Sequence, residues 1–220
     1  MNRTSENMYK CCRYRGYNAM SRLEDLLFSL EGDTLTPMLY TAATLEADGL
    51  TVTEETAYPY GDTITFRLTA DRERALTLRL RIPAHAARFT LTANGERVDA
   101  SAQDGYVILP LTVSKKETIV TLSLHTEVTA VTCEIEGKPY HHLRYGTVLL
   151  VPDSAFGYDV FDLSMKGNET RFARLSLPDY RLAFRTYGVW NGEEKEITLV
   201  DYSSAAKTTP TDYTVFIKSR

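Results

Sequence analysis

Two adjacent cysteines near the start of the chain, Cys11 and Cys12, are the residues best suited to covalent or metal chemistry. Neighbouring cysteines bridge each other only with strain, and three cysteines in 220 residues are too few for a disulfide scaffold. Free thiols and metal ligands are therefore the two readings left open. A thiolate whose pKa is lowered by a nearby metal ion can act as a nucleophile. The third cysteine, Cys133, falls in a strand pattern and is expected to be a small hydrophobic side chain.

Aromatic side chains are the second set of candidates, because β-sheet domains bind glycans by stacking sugar rings on exposed tyrosine or tryptophan. Tyr58, Tyr106 and Trp190 are the candidates for carbohydrate contact. Most rings of this kind pack in a core or along a sheet edge instead. Both readings stay open.

The histidine pair His141-His142 offers little for metal binding. Adjacent side chains in a strand point to opposite faces and cannot hold one ion together. We expect this pair at the surface or in a loop.

The elements that must position these residues follow from hydrophobic periodicity. Apolar residues recur at helical spacing from Asn18 to Leu30, and Gly32 follows as a C-terminal cap. From there on the period is two, as in Thr63–Thr69 and Leu76–Ile82, and Asn94-Gly95 predicts a tight hairpin. A second block of strands begins near Glu127 and includes a strand at 145–151.

This pattern predicts a mainly all-β fold with two antiparallel β-sandwich domains preceded by one short N-terminal α-helix. The predicted division is 1–32 for the polar segment and helix, 33–126 for the first sandwich and 127–220 for the second.

Charge and hydropathy argue against two classes of protein, nucleic-acid binders and membrane-spanning proteins. The formal net charge of −4 argues against nucleic-acid binding, which favours a basic face. No stretch approaches the roughly 20 apolar residues that a membrane helix needs. The polar N-terminus has no signal-peptide pattern, so a cytoplasmic location is the default expectation.

Five phrases in order resemble glycoside hydrolase family 127, the β-L-arabinofuranosidases and their relatives. They are the Cys11-Cys12 pair before Asp33-Thr34-Leu35, Glu55–Ile64, Leu78–Ala86, Ala93–Glu96 and Gly105–Ile108. The resemblance covers about Cys11 to Leu124 and fades beyond it. It implies a helical (α/α)6 catalytic barrel followed by two β-sandwiches, of which this chain would contain the barrel end and the sandwiches.

The resemblance also implies roles for the cysteines. Cys11 would be the nucleophile, and Cys11 with Cys12 would be zinc ligands. The remaining ligands and the acid/base glutamate of such enzymes lie upstream in the barrel. Zinc takes four ligands and glycoside hydrolysis needs paired groups. The chain alone is therefore expected to have no activity and no cofactor, with zinc binding only if the rest of the site is supplied.

Three functions remain as hypotheses. The first is a non-catalytic β-sandwich portion of a glycoside hydrolase, from a truncated frame or a split enzyme, that supports a separately encoded barrel or forms a homo-oligomer. The second is a free-standing carbohydrate-binding module. The third is a small cysteine-dependent glycosidase. The first predicts an exposed apolar face on the N-terminal helix, since a helix that packs on a barrel keeps that face apolar.

Overall fold

The structure, a computed structural model, describes residues 10–167, 170–206 and 211–220, without the side chains of residues 10–13 and Glu24. The chain forms two compact units. The first comprises the chain up to Ala84 together with Phe89–Leu124, and the second comprises His85–Arg88 and His125–Arg220.

The chain starts with one helix, which is followed by strands of alternating burial. Helix α1 spans Lys10–Met20, and a 3-10 turn at Glu24–Leu26 follows it. The first ten strands are β1 (Phe28–Glu31), β2 (Thr34–Pro37), β3 (Ala43–Ala47), β4 (Leu50–Thr56), β5 (Thr63–Ala70), β6 (Arg74–Arg81), β7 (Ala86–Ala93), β8 (Glu96–Val98), β9 (Tyr106–Val113) and β10 (Thr118–Thr126).

These strands form two sheets, ordered β1-β2-β6-β9 and β3-β4-β5-β10-β7-β8. Strands β2 and β6 run parallel. The pairs β1–β2, β6–β9, β3–β4, β4–β5, β5–β10 and β7–β8 are antiparallel. Along β5, Ile64, Phe66 and Leu68 are fully buried while their sequence neighbours are not. Burying each such side chain contributes about 1.5–3 kcal/mol. The apolar residues that alternate in the sequence thus form the inward face of a sandwich. This confirms the predicted fold class.

The N-terminal helix lies elsewhere than predicted. The helix expected from Asn18 to Leu30 is wrong, because α1 ends at Met20 and Phe28–Glu31 is strand β1. Strand β1 pairs with β2 from Phe28↔Pro37 to Glu31↔Thr34, so Gly32 belongs to a hairpin turn and not to a helix cap. Leucines at three- and four-residue spacing suit a helix, but the pairing with β2 decides the conformation.

The last eight strands build the second unit. They are β11 (Val128–Ile135), β12 (Lys138–Tyr145), β13 (Val148–Pro152), β14 (Ser164–Met165), β15 (Ala173–Leu175), β16 (Ala183–Trp190), β17 (Glu193–Asp201) and β18 (Ile217–Ser219). They form one sheet in the order β11-β12-β13-β17-β16-β14-β18, with β15 on β16. Strand β12 also pairs with β18, so this sheet closes on itself.

Two local predictions in this unit are wrong. The strand expected at 145–151 is two strands, because β12 ends at Tyr145 and β13 begins at Val148 after a turn that contains Gly146. The histidine pair is not in a loop. His141 lies on β12, is 6% exposed and has its ring Nδ1 3.1 Å from the Thr132 hydroxyl.

Two buried aspartates anchor loops of the second unit. Asp153 accepts hydrogen bonds from the backbone N–H groups of Ala155 and Ala206. Asp201 accepts from the Leu182 N–H and from the hydroxyls of Ser203 and Ser204. Both are fully buried, and donors compensate their desolvation. In the described part of the chain, no helix has the length and apolar character to span a bilayer.

Candidate functional site

Helix α1 has no buried face among its described side chains. All residues from Tyr14 to Met20 are exposed, with Tyr14 at 74% and Tyr17 at 70%. A helix of 11 residues is only marginally stable in water unless an apolar face packs against something. The described side chains of this helix therefore do not form a buried face that would stabilise it.

The exposed apolar character continues past the helix. Seven of the fourteen large hydrophobic side chains that are exposed in the described part of the chain lie between residues 14 and 39. We call these seven the N-terminal apolar surface; its members are Tyr14, Tyr17, Met20, Leu23, Leu26, Met38 and Leu39. These seven side chains lie within 26 residues of one another in the sequence, whereas the other seven are spread over residues 108–216.

Hydrogen bonds tie parts of this surface together. The N–H of Leu23 donates to the Met20 carbonyl at 3.2 Å, and the N–H of Leu26 donates to the Leu23 carbonyl at 3.0 Å. The Met38 N–H donates to the carbonyl of Leu27 at 2.8 Å, across the hairpin of β1 and β2. Backbone hydrogen bonds therefore connect the end of α1 to the turn after it, and they connect Leu27 to Met38.

The cysteines predicted to carry chemistry lie in the first turn of α1. Cys11 and Cys12 are helical, and their side chains are outside the described ones. Among the residues whose side chains are described, no group of three or more His, Cys, Asp or Glu could hold a metal ion. Two cysteines are half of a four-ligand zinc site.

Glu54, on strand β4, is a buried glutamate whose carboxyl lies near Tyr40. Glu54 is in phase with Leu50 and Val52 on β4, is only 1% exposed, and pairs across the sheet with Ala43 and Phe66. Within the described part of the chain, neither of its carboxylate oxygens makes a hydrogen bond of good geometry, although the Thr41 backbone N–H lies close enough to affect the carboxyl. This contrasts with the satisfied buried aspartates of the second unit.

Burial raises the pKa of the Glu54 carboxyl to about 8, while the Thr41 backbone N–H acts in the opposite direction with less effect. Tyr40 is the facing titratable group. Its hydroxyl donates to the Arg81 carbonyl at 2.6 Å, and its ring meets Tyr58 edge to face at 5.9 Å between centroids. Burial raises the pKa of the Tyr40 hydroxyl, and the nearby Glu54 raises it further. The Tyr40 hydroxyl and the Glu54 carboxyl are therefore both mainly uncharged near pH 7.

The predicted carbohydrate contacts have different surroundings. Tyr58 is half-buried in the cluster with Tyr40. Trp190, in the second unit, ends β16 and has the Lys195 ammonium 4.7 Å from its ring centroid. Tyr106 begins β9, and the Arg79 guanidinium carbon lies 3.9 Å from its ring centroid. The structure brings Tyr58 together with Tyr40, and it places Tyr106 beside a groove.

The Tyr106 groove has a volume of about 430 Å³. It is lined by Val98, Asp99, Ala100, Ser101, Gln103, Tyr106, Ile108, Leu109 and Pro110. A second cavity, of about 470 Å³, lies in the second unit beside Tyr187, Lys166 and Arg171.

The sequence analysis named Tyr106 as a candidate and did not name Glu54. A signal was available, because alternation along β4 puts Glu54 in phase with Val52 and so on the buried face. The polar wall of the Tyr106 groove had no signal of that kind, because Asp99, Ser101 and Gln103 belong to a loop without periodicity.

Comparison with known proteins agrees with the resemblance. Residues 34–126 match the family model described as "Beta-L-arabinofuranosidase, GH127 middle domain". The predicted likeness to glycoside hydrolase family 127 is thereby confirmed. No curated protein matches the chain in sequence.

Solved structures share the fold over nearly the whole chain. A GH127 β-L-arabinofuranosidase from Geobacillus stearothermophilus T6 has a TM-score of 0.78 at 18% identity, covering 96% of this chain and 37% of its own. A structure described as a glycoside hydrolase gives 0.77 at 18%, covering 96% and 40%. A GH127 β-arabinofuranosidase gives 0.73 at 16%, covering 88% and 36%. The chain thus spans about two fifths of the length of these proteins.

Proposed function

We propose that this chain is a non-catalytic β-sandwich portion of a β-L-arabinofuranosidase-like glycoside hydrolase and supports a helical catalytic barrel. The observation that carries the proposal is helix α1, whose described side chains are all exposed although the helix is too short to be stable by itself. The match of residues 34–126 to a middle domain of that family supports it.

The N-terminal apolar surface is the proposed contact with the barrel. Its side chains belong to α1, the turn after it and the two residues that follow β2. The last two lie inside the segment that matches the middle domain. A second copy of this chain is the other candidate partner for the same surface. Catalysis by the chain alone forms no part of the proposal, because Cys11 and Cys12 are too few for the zinc centre and hydrolysis needs a paired acid.

A binding experiment tests the contact. The chain is mixed with a separately produced helical catalytic barrel of a family 127 glycoside hydrolase, and the dissociation constant is measured by calorimetry. Met20→Ser and Leu26→Ser remove side chains that are 69% and 57% exposed, and Phe161→Ser removes one that is 60% exposed in the second unit. Each surface variant is expected to weaken binding about tenfold, from roughly 1.5 kcal/mol of lost apolar burial.

The control variant Phe161→Ser is expected to bind like the unchanged chain. Equal affinity for all variants would contradict the proposed surface, and no binding of the helical domain would contradict the supporting role. Self-association that is lost in Met20→Ser and Leu26→Ser would make a second copy the partner instead. Gel filtration of the chain alone separates these outcomes.

A further inference from the structure

We propose that the Tyr106 groove is a carbohydrate-binding site that takes a neutral sugar ring. This inference goes beyond support of a barrel and concerns other residues than the N-terminal apolar surface. It rests on the shape of the groove, the chemistry of its two sides and the way in which its residues are held before any ligand arrives.

An apolar strip forms one side of the groove. Tyr106, Ile108 and Pro110 alternate along β9 with buried Val107 and Leu109, so the three share the outward face. Ile108 is 56% exposed, so its aliphatic carbon is accessible beside the Tyr106 ring. A sugar ring has faces made of C–H groups, and an aromatic ring beside aliphatic carbon is a surface on which such a face packs.

A polar strip forms the other side. Asp99, Ser101 and Gln103 are exposed and line the same groove. Together they offer a carboxylate acceptor, a hydroxyl, and an amide that both donates and accepts. Sugar hydroxyls also donate and accept, so this mixture suits a ring of hydroxyls better than it suits an ion of either sign.

The groove is organised in advance. The Arg79 guanidinium carbon lies 3.9 Å from the centroid of the Tyr106 ring and so covers one of its faces. Gln103 and Tyr106 exchange two backbone hydrogen bonds, of 2.8 and 2.9 Å. They enclose a turn at Asp104 and Gly105, whose φ angles of 51° and 78° are those of a tight hairpin. Residues held in this way lose little conformational entropy on binding.

A protein strand is the rival occupant, because β9 is the last strand of its sheet. Strand addition uses backbone hydrogen bonds and depends little on one ring. A sugar that stacks depends on the ring itself. The contribution of the Tyr106 ring therefore distinguishes the two occupants.

Affinity electrophoresis in gels that contain soluble arabinan, xylan or dextran measures the interaction, with the whole chain as the sample. Retardation in at least one glycan is expected. Tyr106→Ala is expected to weaken it about tenfold, the effect of losing one stacked ring, and Gln103→Ala to weaken it measurably. Tyr106→Phe keeps the ring and is expected to behave like the unchanged chain.

Tyr187→Ala is the matched control, since Tyr187 is 53% exposed in the second unit. Circular dichroism checks that each variant is folded. If Tyr106→Ala does not fold, Gln103→Ala provides the test, because it changes only an exposed side chain. No retardation in any of the three glycans would overturn the inference. So would equal retardation of Tyr106→Ala and the unchanged chain, or dimerisation through β9. These results leave the proposed supporting role untouched, because the variants lie outside the N-terminal apolar surface.

Discussion

Replacing Glu54 by glutamine is expected to remove a pH dependence from the stability of the first unit. The carboxyl has a pKa of about 8 when folded, against 4.5 for an ordinary glutamate. Its folded pKa is raised, so between these two values the folded state holds a proton that the unfolded state has lost. Stability is therefore highest below the unfolded pKa and falls as the pH rises towards 8.

The magnitude follows from the same two pKa values. Each pH unit inside the window lowers the free energy of unfolding by about 1.4 kcal/mol, and the whole window removes up to about 5 kcal/mol. Above pH 8 the folded carboxyl also ionises and the slope disappears. Glu54→Gln has nearly the same shape and no charge. We expect it to match the unchanged chain near pH 4.5 and to be more stable at pH 8 by several kcal/mol.

Glu55→Gln is the matched control. Glu55 is the next residue on β4, carries the same charge and forms an exposed ion pair with Arg67 at 3.0 Å. Such pairs contribute about 0–1 kcal/mol, so this variant should keep the pH slope of the unchanged chain. Histidines titrate in both variants alike, and the difference between the two slopes isolates Glu54.

Amide hydrogen exchange of peptides from β4 and β5 reports on the first unit, while fluorescence of the single tryptophan, Trp190, reports on the second. Urea unfolding between pH 5 and pH 9 then gives the two stabilities separately. The reasoning is refuted if Glu54→Gln keeps the original slope in the β4 and β5 peptides, or if Glu55→Gln removes it.

Three further predictions are simpler. The purified chain should show no hydrolysis of an aryl β-L-arabinofuranoside and less than one zinc per chain, and Cys11→Ala should change neither; Cys11-dependent turnover would contradict the non-catalytic function. Gly49→Ala should destabilise the first unit by about 1–3 kcal/mol, because φ is +72° and the new Cβ would lie 2.5 Å from the Asp71 carboxyl; an unchanged urea midpoint would disprove the clash. Asp201→Ala should destabilise the second unit by roughly 3 kcal/mol, because buried donors lose their acceptor; Trp190 fluorescence during urea unfolding measures it, and a loss below about 0.5 kcal/mol would contradict the anchoring role.

Much of the sandwich could be predicted because alternation is a local property. Thr63–Thr69 shows its buried face in the sequence, and Asn94-Gly95 marks a hairpin that the structure contains between Ala93 and Glu96. The region after Met20 could not be predicted in this way. Its leucines suit a helix as well as a strand, and only the pairing of β1 with β2 decides between them.

Some properties of the candidate sites likewise follow from the sequence, and others depend on tertiary structure. The identity of Cys11, Cys12 and Tyr106 and the likeness to a glycosidase family are properties of the sequence itself, because residue types and the order of short phrases suffice for them. Tertiary structure decides that the described side chains of α1 are exposed, that the Glu54 carboxyl is buried without a hydrogen bond of good geometry, and that Tyr106 borders a groove. Burial and grooves depend on which distant segments meet, and contacts of that range have no period in the sequence.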